Sequence, residues 1–246
     1  MKHLYGKKTI ITILSCAVMF SANTVFAQEH TRENSTVMFD GSFYDLVFSW
    51  KKKRPIAVES HWAGLSFAFS GLKGLPNTVD LASERSYSIS WNVNDYEVPI
   101  HPHWLLVSGI GFDWTRFHFS GNVGLQNRDG YTDFFSDDRT LKDSKLLIYY
   151  GKIPLLLEYQ TGKFYIQGGV EGLVKLYSKS RIEINDGRRT SKEDFRDLKI
   201  HPVNMRFFLH TGFAKFGVFG YYQPFSIFKQ GRGPELRSFG VGISLY

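Results

Sequence analysis

Cysteine is almost missing from this chain. Of 246 residues only Cys16 is one, so no disulfide forms within it and a disulfide-stapled scaffold is excluded. Long apolar runs are missing too. Past the N-terminus nothing approaches the about 18 consecutive apolar residues of a transmembrane helix, which excludes a helical membrane bundle. Charge of one sign is also scarce, since 30 Lys and Arg stand against 23 Asp and Glu, and no nucleic-acid partner is expected from so even a balance. The glycine motifs of nucleotide binding and of serine hydrolases do not occur in their required context. The histidines show no metal-ligand spacing: His101-Pro102-His103 stands in a short turn without a partner cluster. No metal and no cofactor are expected. Aromatic residues, by contrast, are abundant, with 22 Phe, 13 Tyr and 5 Trp, and a chain this aromatic and apolar is not disordered.

Residues 1–27 have the layout of a signal peptide. Lys2, Lys7 and Lys8 open it, an apolar stretch runs from Ile10 to Phe20, and Val25-Phe26-Ala27 offers a cleavage site before the polar Gln28-Glu29-His30. Cys16 follows Ile13-Leu14-Ser15, too short an apolar core and the wrong residue order for a lipid-modified cysteine. Removing the three lysines of the signal lowers the net charge from +7 to +4. Residues 28–57 form an N-terminal periplasmic segment. In it Phe39–Trp50 is apolar and aromatic, with helix and strand both open, and Lys51-Lys52-Lys53-Arg54 reads as a solvated linker.

From residue 58 to 246 the dominant period is two. In Ser86–Asn94, Tyr87, Ile89, Trp91 and Val93 alternate with Ser86, Ser88, Ser90, Asn92 and Asn94, which a helix would scatter around its circumference. The same alternation marks His61–Ser70, Phe164–Lys179, Val203–Phe213 and the stretch from Arg237 onward. Leu105–Phe119 and Leu146–Tyr159 follow it less cleanly, and Phe216–Phe225 is aromatic on both faces, so its register stays open. A bulge is expected at Pro154, which removes a ladder donor.

These are eight segments, and their connections alternate. Tight turns at Pro99–His103, Gln160–Lys163 and Ala214–Gly217 are interleaved with long polar loops at Gly71–Arg85, Ser120–Ser144, Ser180–Lys199 and Ser226–Glu235. Short turns on one side and long loops on the other characterise outer-membrane barrels. The competitor is a soluble barrel of the lipocalin kind with its apolar face inward. The small residues of the polar face, which suit a narrow lumen, the loop alternation, and Trp62, Trp91, Trp104, Trp114, Tyr159 and Tyr246 near segment ends favour the membrane form. The expected fold is all-β: an eight-stranded antiparallel up-and-down transmembrane β-barrel, in the outer membrane with both termini periplasmic.

The ordered set His61-Trp62-Ala63-Gly64-Leu65, Ser86-Tyr87-Ser88-Ile89-Ser90-Trp91-Asn92, Ser144-Lys145-Leu146 with Lys152-Ile153-Pro154-Leu155-Leu156-Leu157-Glu158-Tyr159, and Gly233-Pro234-Glu235-Leu236 before the last strand resembles the PorT-like outer-membrane β-barrel family of Bacteroidota-type bacteria. The resemblance covers roughly residues 58–246 and implies the eight-stranded barrel. It implies no settled activity, although PorT itself is linked to protein secretion and gliding machinery. One departure concerns the terminal aromatic: Tyr246 shares a face with Ser244, not with Ile243 and Leu245.

The inward faces carry Asp113, Lys152, Glu158, Glu171, Lys175 and Arg206. Charges in a narrow lumen must pair, because an isolated buried charge costs several kcal/mol, so a lumen-filling salt-bridge network is expected, with a small gated pore as the sharper alternative. His118 and Ser120 share a strand face, as the base and nucleophile of a lipid A deacylase-like membrane enzyme would, but the orienting acid would have to come from Asp133 or a neighbour. The function expected is therefore a structural or interaction role without chemistry, with loops Ser120–Ser144 and Ser180–Lys199 as contact surfaces. Its partners would be outer-membrane lipid, the barrel-assembly machinery during insertion, and an envelope protein of unknown identity. A PorT-like role in a secretion complex is a further alternative.

Overall fold

The computed structural model describes residues 59–246 except 137, 138, 140 and 186–189. The expected signal peptide and the whole of the expected N-terminal segment, residues 28–57, lie outside the described residues.

Eight strands close a ring: β1 (Gly64–Lys73), β3 (Tyr87–His101), β4 (Trp104–Ser120), β7 (Leu141–Thr161), β8 (Phe164–Asn185), β10 (Val203–Phe213), β11 (Phe216–Tyr222) and β12 (Arg237–Leu245). Each pairs antiparallel with the next, and β12 returns to β1. All eight expected segments are barrel strands. The connections β3–β4, β7–β8 and β10–β11 are tight and share one end of the barrel, the turn end. The long connections share the other, the loop end. There the short β2 (Asp80–Leu81) pairs with β4, β5 (Val123–Arg128) and β6 (Tyr131–Ser136) form a separate hairpin, and β9 (Thr190–Phe195) extends the sheet from β8.

Side chains alternate across the wall as the sequence period demands. Leu65, Phe67, Phe69, Ile89, Trp91, Ile153, Leu155, Phe207, Leu209, Val241 and Ile243 are exposed on the outside. Ser70, Ser88, Ser90, Asn92, Asp113, Lys152, Glu171, Arg206 and Ser244 are buried inside. A water-soluble protein does not sustain so extensive an apolar exterior around a polar interior. The soluble lipocalin-type alternative has the opposite polarity, so the barrel is a transmembrane one. The band is rimmed by aromatic residues, including Trp104 against Tyr159 at the turn end (ring centroids 5.1 Å apart) and Tyr149 against Tyr177 towards the loop end (5.7 Å). Strands β7 and β8 have 21 and 22 residues, well beyond the about 9–11 needed to cross, and their excess forms the loop-end sheet.

The register of β11 is now settled. Phe216, Val218 and Tyr222 are exposed, whereas Gly217, Phe219 and Tyr221 are buried in the lumen. Pro154, against expectation, makes no bulge. It pairs in register with Glu171 of β8, and only the ladder to β4 lapses between Ser108–Leu155 and Gly111–Lys152, where proline has no N–H to donate. The bulges fall elsewhere. One on β3 skips Val93, so that Asn94 pairs with Ile110 and Asp95 with Gly109. Asn94 thereby leaves the inward face, and Asp95 and Glu97 turn in. Another on β8 skips Leu176 between Tyr149–Tyr177 and Tyr150–Lys175. It inverts the alternation: Ser178, Ser180, Ile182 and Ile184 are buried inside, and Lys179, expected inward, points outward to Asp194 (3.4 Å).

Trp62, expected in the interfacial rim, is 1% exposed in the lumen. Gly64 bends the chain there. Its φ is +131°, and a Cβ would run into the carbonyl oxygen of Leu245, so only glycine lets the preceding residues turn over the barrel mouth.

Candidate functional site

The lumen is layered. At its middle, β4, β7, β8 and β10 each contribute one charge. Arg206 Nη1 donates to Asp113 Oδ2 (2.7 Å) and Arg206 Nε to Glu171 Oε2 (2.5 Å), while Lys152 Nζ lies 3.5 Å from Glu171 Oε1. Two acids face two bases, so the layer is neutral. Neighbours complete it: Trp62 Nε1 donates to Glu171 (3.2 Å), Ser90 and Thr115 hydroxyls donate to Asp113 (3.2 and 2.8 Å), and the Arg206 guanidinium lies 4.6 Å from the Tyr221 ring centre. Four of the six expected network members therefore do meet.

Glu158 and Lys175 do not join them. Glu158, fully buried, anchors a second cluster at the turn end. It accepts from Gln160 Nε2 (2.5 Å), Gln167 Nε2 (2.7 Å) and the His61 backbone N–H (3.2 Å), and His61 Nδ1 lies 2.6 Å from its Oε1. His61 stacks on Tyr165 at 3.9 Å. His210 sits beside them with Nδ1 3.1 Å from Gln167 Oε1 and Nε2 2.8 Å from Ser244 Oγ, and the Tyr246 hydroxyl reaches the same imidazole. The inward placement of Tyr246 thus matches its sequence parity with Ser244. Lys175 is only partly buried and forms no ion pair among the described residues, because β8 at this height passes the layer of loops around Asp197, Lys199 and Lys229.

Residues 59–62 strap the turn-end mouth to these groups. The Ser60 backbone N–H donates to Glu97 Oε1 (2.6 Å), its hydroxyl bonds Asp95, Asn92 Nδ2 donates to the Trp62 carbonyl (2.6 Å), and Gln160 Nε2 donates to the Glu59 carbonyl (2.7 Å). Of these partners only Asn92 was legible as an inward polar residue; Asp95 and Glu97 turn in through the β3 bulge, Gln160 stands in an expected turn, and the strap itself lies outside any repeating pattern. Ser244 beside His210 superficially has the make-up of a nucleophile and base, yet both are almost fully buried, at 2% and 1% exposure, leaving no room for a substrate.

At the loop end an apolar plug fills the barrel. Phe117, Leu146, Ile148 and Leu173 of the wall meet Val79, Leu125, Leu198, Ile200, Ile227 and Phe228 of the loops. Polar ties bind the loops into one cap. Thr132 donates its N–H to the Arg232 carbonyl (2.9 Å) and its hydroxyl accepts from the Lys199 N–H (2.8 Å), while Asn127 Nδ2 donates to Asp197 (2.7 Å). Between plug and charge layer lies a cavity of about 10 Å³ lined by Arg206, Tyr150 and Gln223, roughly the space of one water. The apolar plug members were missed because they are scattered singly or in short groups through polar loops.

His118 and Ser120 sit beyond the apolar band. His118 Nδ1 lies 3.0 Å from Asp143 Oδ1, so the acid beside it is Asp143, and Asp133 instead accepts from the Phe134 N–H. Asp143 also receives Lys145 Nζ (2.5 Å) and Arg85 Nη2 (3.0 Å). Burial holds the His118 pKa below 6.5 despite the Asp143 carboxylate. Burial opposes ionisation of Asp143, but hydrogen bonds from Lys145 and His118 outweigh it and keep its pKa below the usual range. Ser120 makes no hydrogen bond to His118. A cleft of about 260 Å³ adjoins the pair, lined among others by Arg85, Ser120, Lys142 and Asp143.

No family model matches the chain, and no curated protein matches it. Among solved structures it is similar to Ail, the attachment invasion locus protein of Yersinia pestis, at 9% identity and a TM-score of 0.30, covering 74% of this chain and 95% of that one.

Proposed function

We propose that this chain is an outer-membrane protein of structural or interaction type, whose capped loop end is its contact surface and whose barrel carries neither a conducting path nor a reaction. Both termini then face the periplasm, since the turn end holds residue 59 and Tyr246, and the long loops face outward. The observation that carries this reading is the filled lumen. A neutral ion-pair layer and an apolar plug occupy its cross-section, while the loops above are tied into one ordered cap. A protein that spends so many side chains closing its interior and ordering its loops has its working surface outside.

The test is fractionation with gel mobility before and after boiling, followed by trimming of the β5–β6 hairpin. Protein in the outer-membrane fraction with a heat-dependent shift, which survives trimming while binding to cells or envelope partners is lost, is the expected result. A soluble protein without a shift would overturn the reading.

The resemblance to PorT-like barrels supports a finer version, in which the turn end serves a secretion complex. The ordering of residues 59–62 by Glu97, Asn92, Gln160 and Glu158 favours it, because this strap fixes the point at which the preceding segment meets the barrel. Deleting residues 28–57 should then abolish co-purification with envelope proteins while the heat shift remains.

A further inference from the structure

Most cations on the outer wall beyond the apolar band have acidic partners. Arg181 holds Asp194 (2.6 Å), and Lys145 holds Asp143 and Glu183 (2.5 and 3.3 Å). Among the described residues on the wall of β12, β1, β3 and β4, three cations differ. Lys73 and Arg237 are the directly opposed residues that end the β1–β12 ladder, and both follow the outward parity of Phe69, Gly71 and Phe239. Like charges placed directly across a ladder repel, yet neither forms an ion pair among the described residues, and Glu235, two residues before Arg237, bonds neither. Arg116 pairs across the wall with Tyr87, its guanidinium 5.3 Å from the ring centre, and likewise has no anionic partner. All three lie on the wall formed by β12, β1, β3 and β4, just past exposed Phe239, Phe69, Ile89 and Trp114. They stand at the level where the lipid-facing surface ends.

We propose that this wall binds the phosphate of an anionic lipid headgroup, with Lys73 and Arg237 as a two-cation clamp and Arg116 as a second contact. The inference rests on the membrane reading above and deepens it. An external anion relieves the Lys73–Arg237 repulsion, which no carboxylate among the described residues does. Arginine and lysine together suit phosphate, the former by its planar fork and the latter as a point charge. The lateral position, continuous with the apolar band, makes the anion one carried by a lipid. The Tyr87 ring holds the Arg116 guanidinium at the height where headgroups lie.

The test uses the full chain refolded into phosphatidylcholine vesicles containing a minor fraction of spin-labelled phosphatidic acid. The immobilised fraction gives its preference over labelled phosphatidylcholine. A preference of about tenfold is expected, reduced towards unity in the Lys73→Gln/Arg237→Gln double variant, reduced in part by Arg116→Gln, and weakened by high salt. The heat-dependent mobility shift should persist in every variant. Two results overturn the proposal while the barrel stays inserted and heat-modifiable: no preference in the wild type, or an undiminished preference in the double variant. Full displacement by free inorganic phosphate would overturn the lipid source of the anion. Failure of the wild type to insert would overturn the membrane reading and this inference with it.

Discussion

Glu171 is the residue on which the charge layer turns, since it faces both Arg206 and Lys152 and accepts from Trp62. Removing one partner of a buried pair leaves charge uncompensated, at a cost of about 3–5 kcal/mol, whereas replacing the set by apolar groups is often neutral. Glu171→Ala should therefore lower the denaturant midpoint of the vesicle-inserted barrel strongly. A variant that also carries Lys152→Met leaves Arg206 paired with Asp113 and should recover much of the loss, as a double-mutant cycle would show. At the loop end the His118 imidazole is neutral at pH 7 because burial lowers its pKa from 6.5. The unfolded chain takes up this proton first, so the residue's contribution to stability is intact above about pH 6.5 and falls as pH drops through that value. Asp143→Asn removes the raising influence and leaves the Arg85 and Lys145 cations, so NMR titration should find the His118 pKa lower still.

At the scale of the element, the wall was legible because lipid outside and side chains inside impose a strict period of two. Ser88, Ser90 and Asn92 against Ile89 and Trp91 show it in five residues of β3. The bulges were not legible, because one skipped residue changes no composition. The skip at Leu176 lets the strand present Leu173 to the lumen below and Ser178 above, while Lys179 and Arg181 turn out to Asp194. Deleting Leu176 takes the extra residue out of β8 and leaves Tyr177 opposite Tyr149 and Lys175 opposite Tyr150, so both cations should stay outward and the heat-dependent mobility shift should persist. Deleting Leu176 and Tyr177 together should turn Lys179 and Arg181 into the lumen and abolish the shift, whereas deletion of Gly231 from the exposed tip of the 226–235 loop should preserve it. Pro154 failed as a bulge signal for a related reason. A missing donor costs one ladder bond, and β4 absorbs it without changing register.

At the scale of the whole barrel, closure at both ends is what the proposed function rests on. The strap with Trp62 seals the turn end and the apolar plug seals the loop end. Wild-type protein should show no steady conductance in planar bilayers. Trp62→Ala should remain closed as well, because the Val79, Ile227 and Phe228 plug is independent of the strap. Steady channels in the Trp62 variant alone would place the seal at the turn end only.

By itself, the sequence determined the number and order of the strands, the alternation of turns and loops, and the candidate charges of the lumen. Each of these follows from local periodicity and spacing, whereas which face meets lipid was decided by the burial of the polar face inside the closed ring. Only the tertiary structure decided which charges meet. Asp113, Lys152, Glu171 and Arg206 lie on four strands whose relative heights depend on register, and the same registers carry Glu158 to the turn end beside His61 and leave Lys175 under the loops. Only the structure, too, brought isolated apolar loop residues together into a plug and turned Trp62 inward past Gly64. Contacts between distant segments depend on closing the ring, and no local pattern records that step.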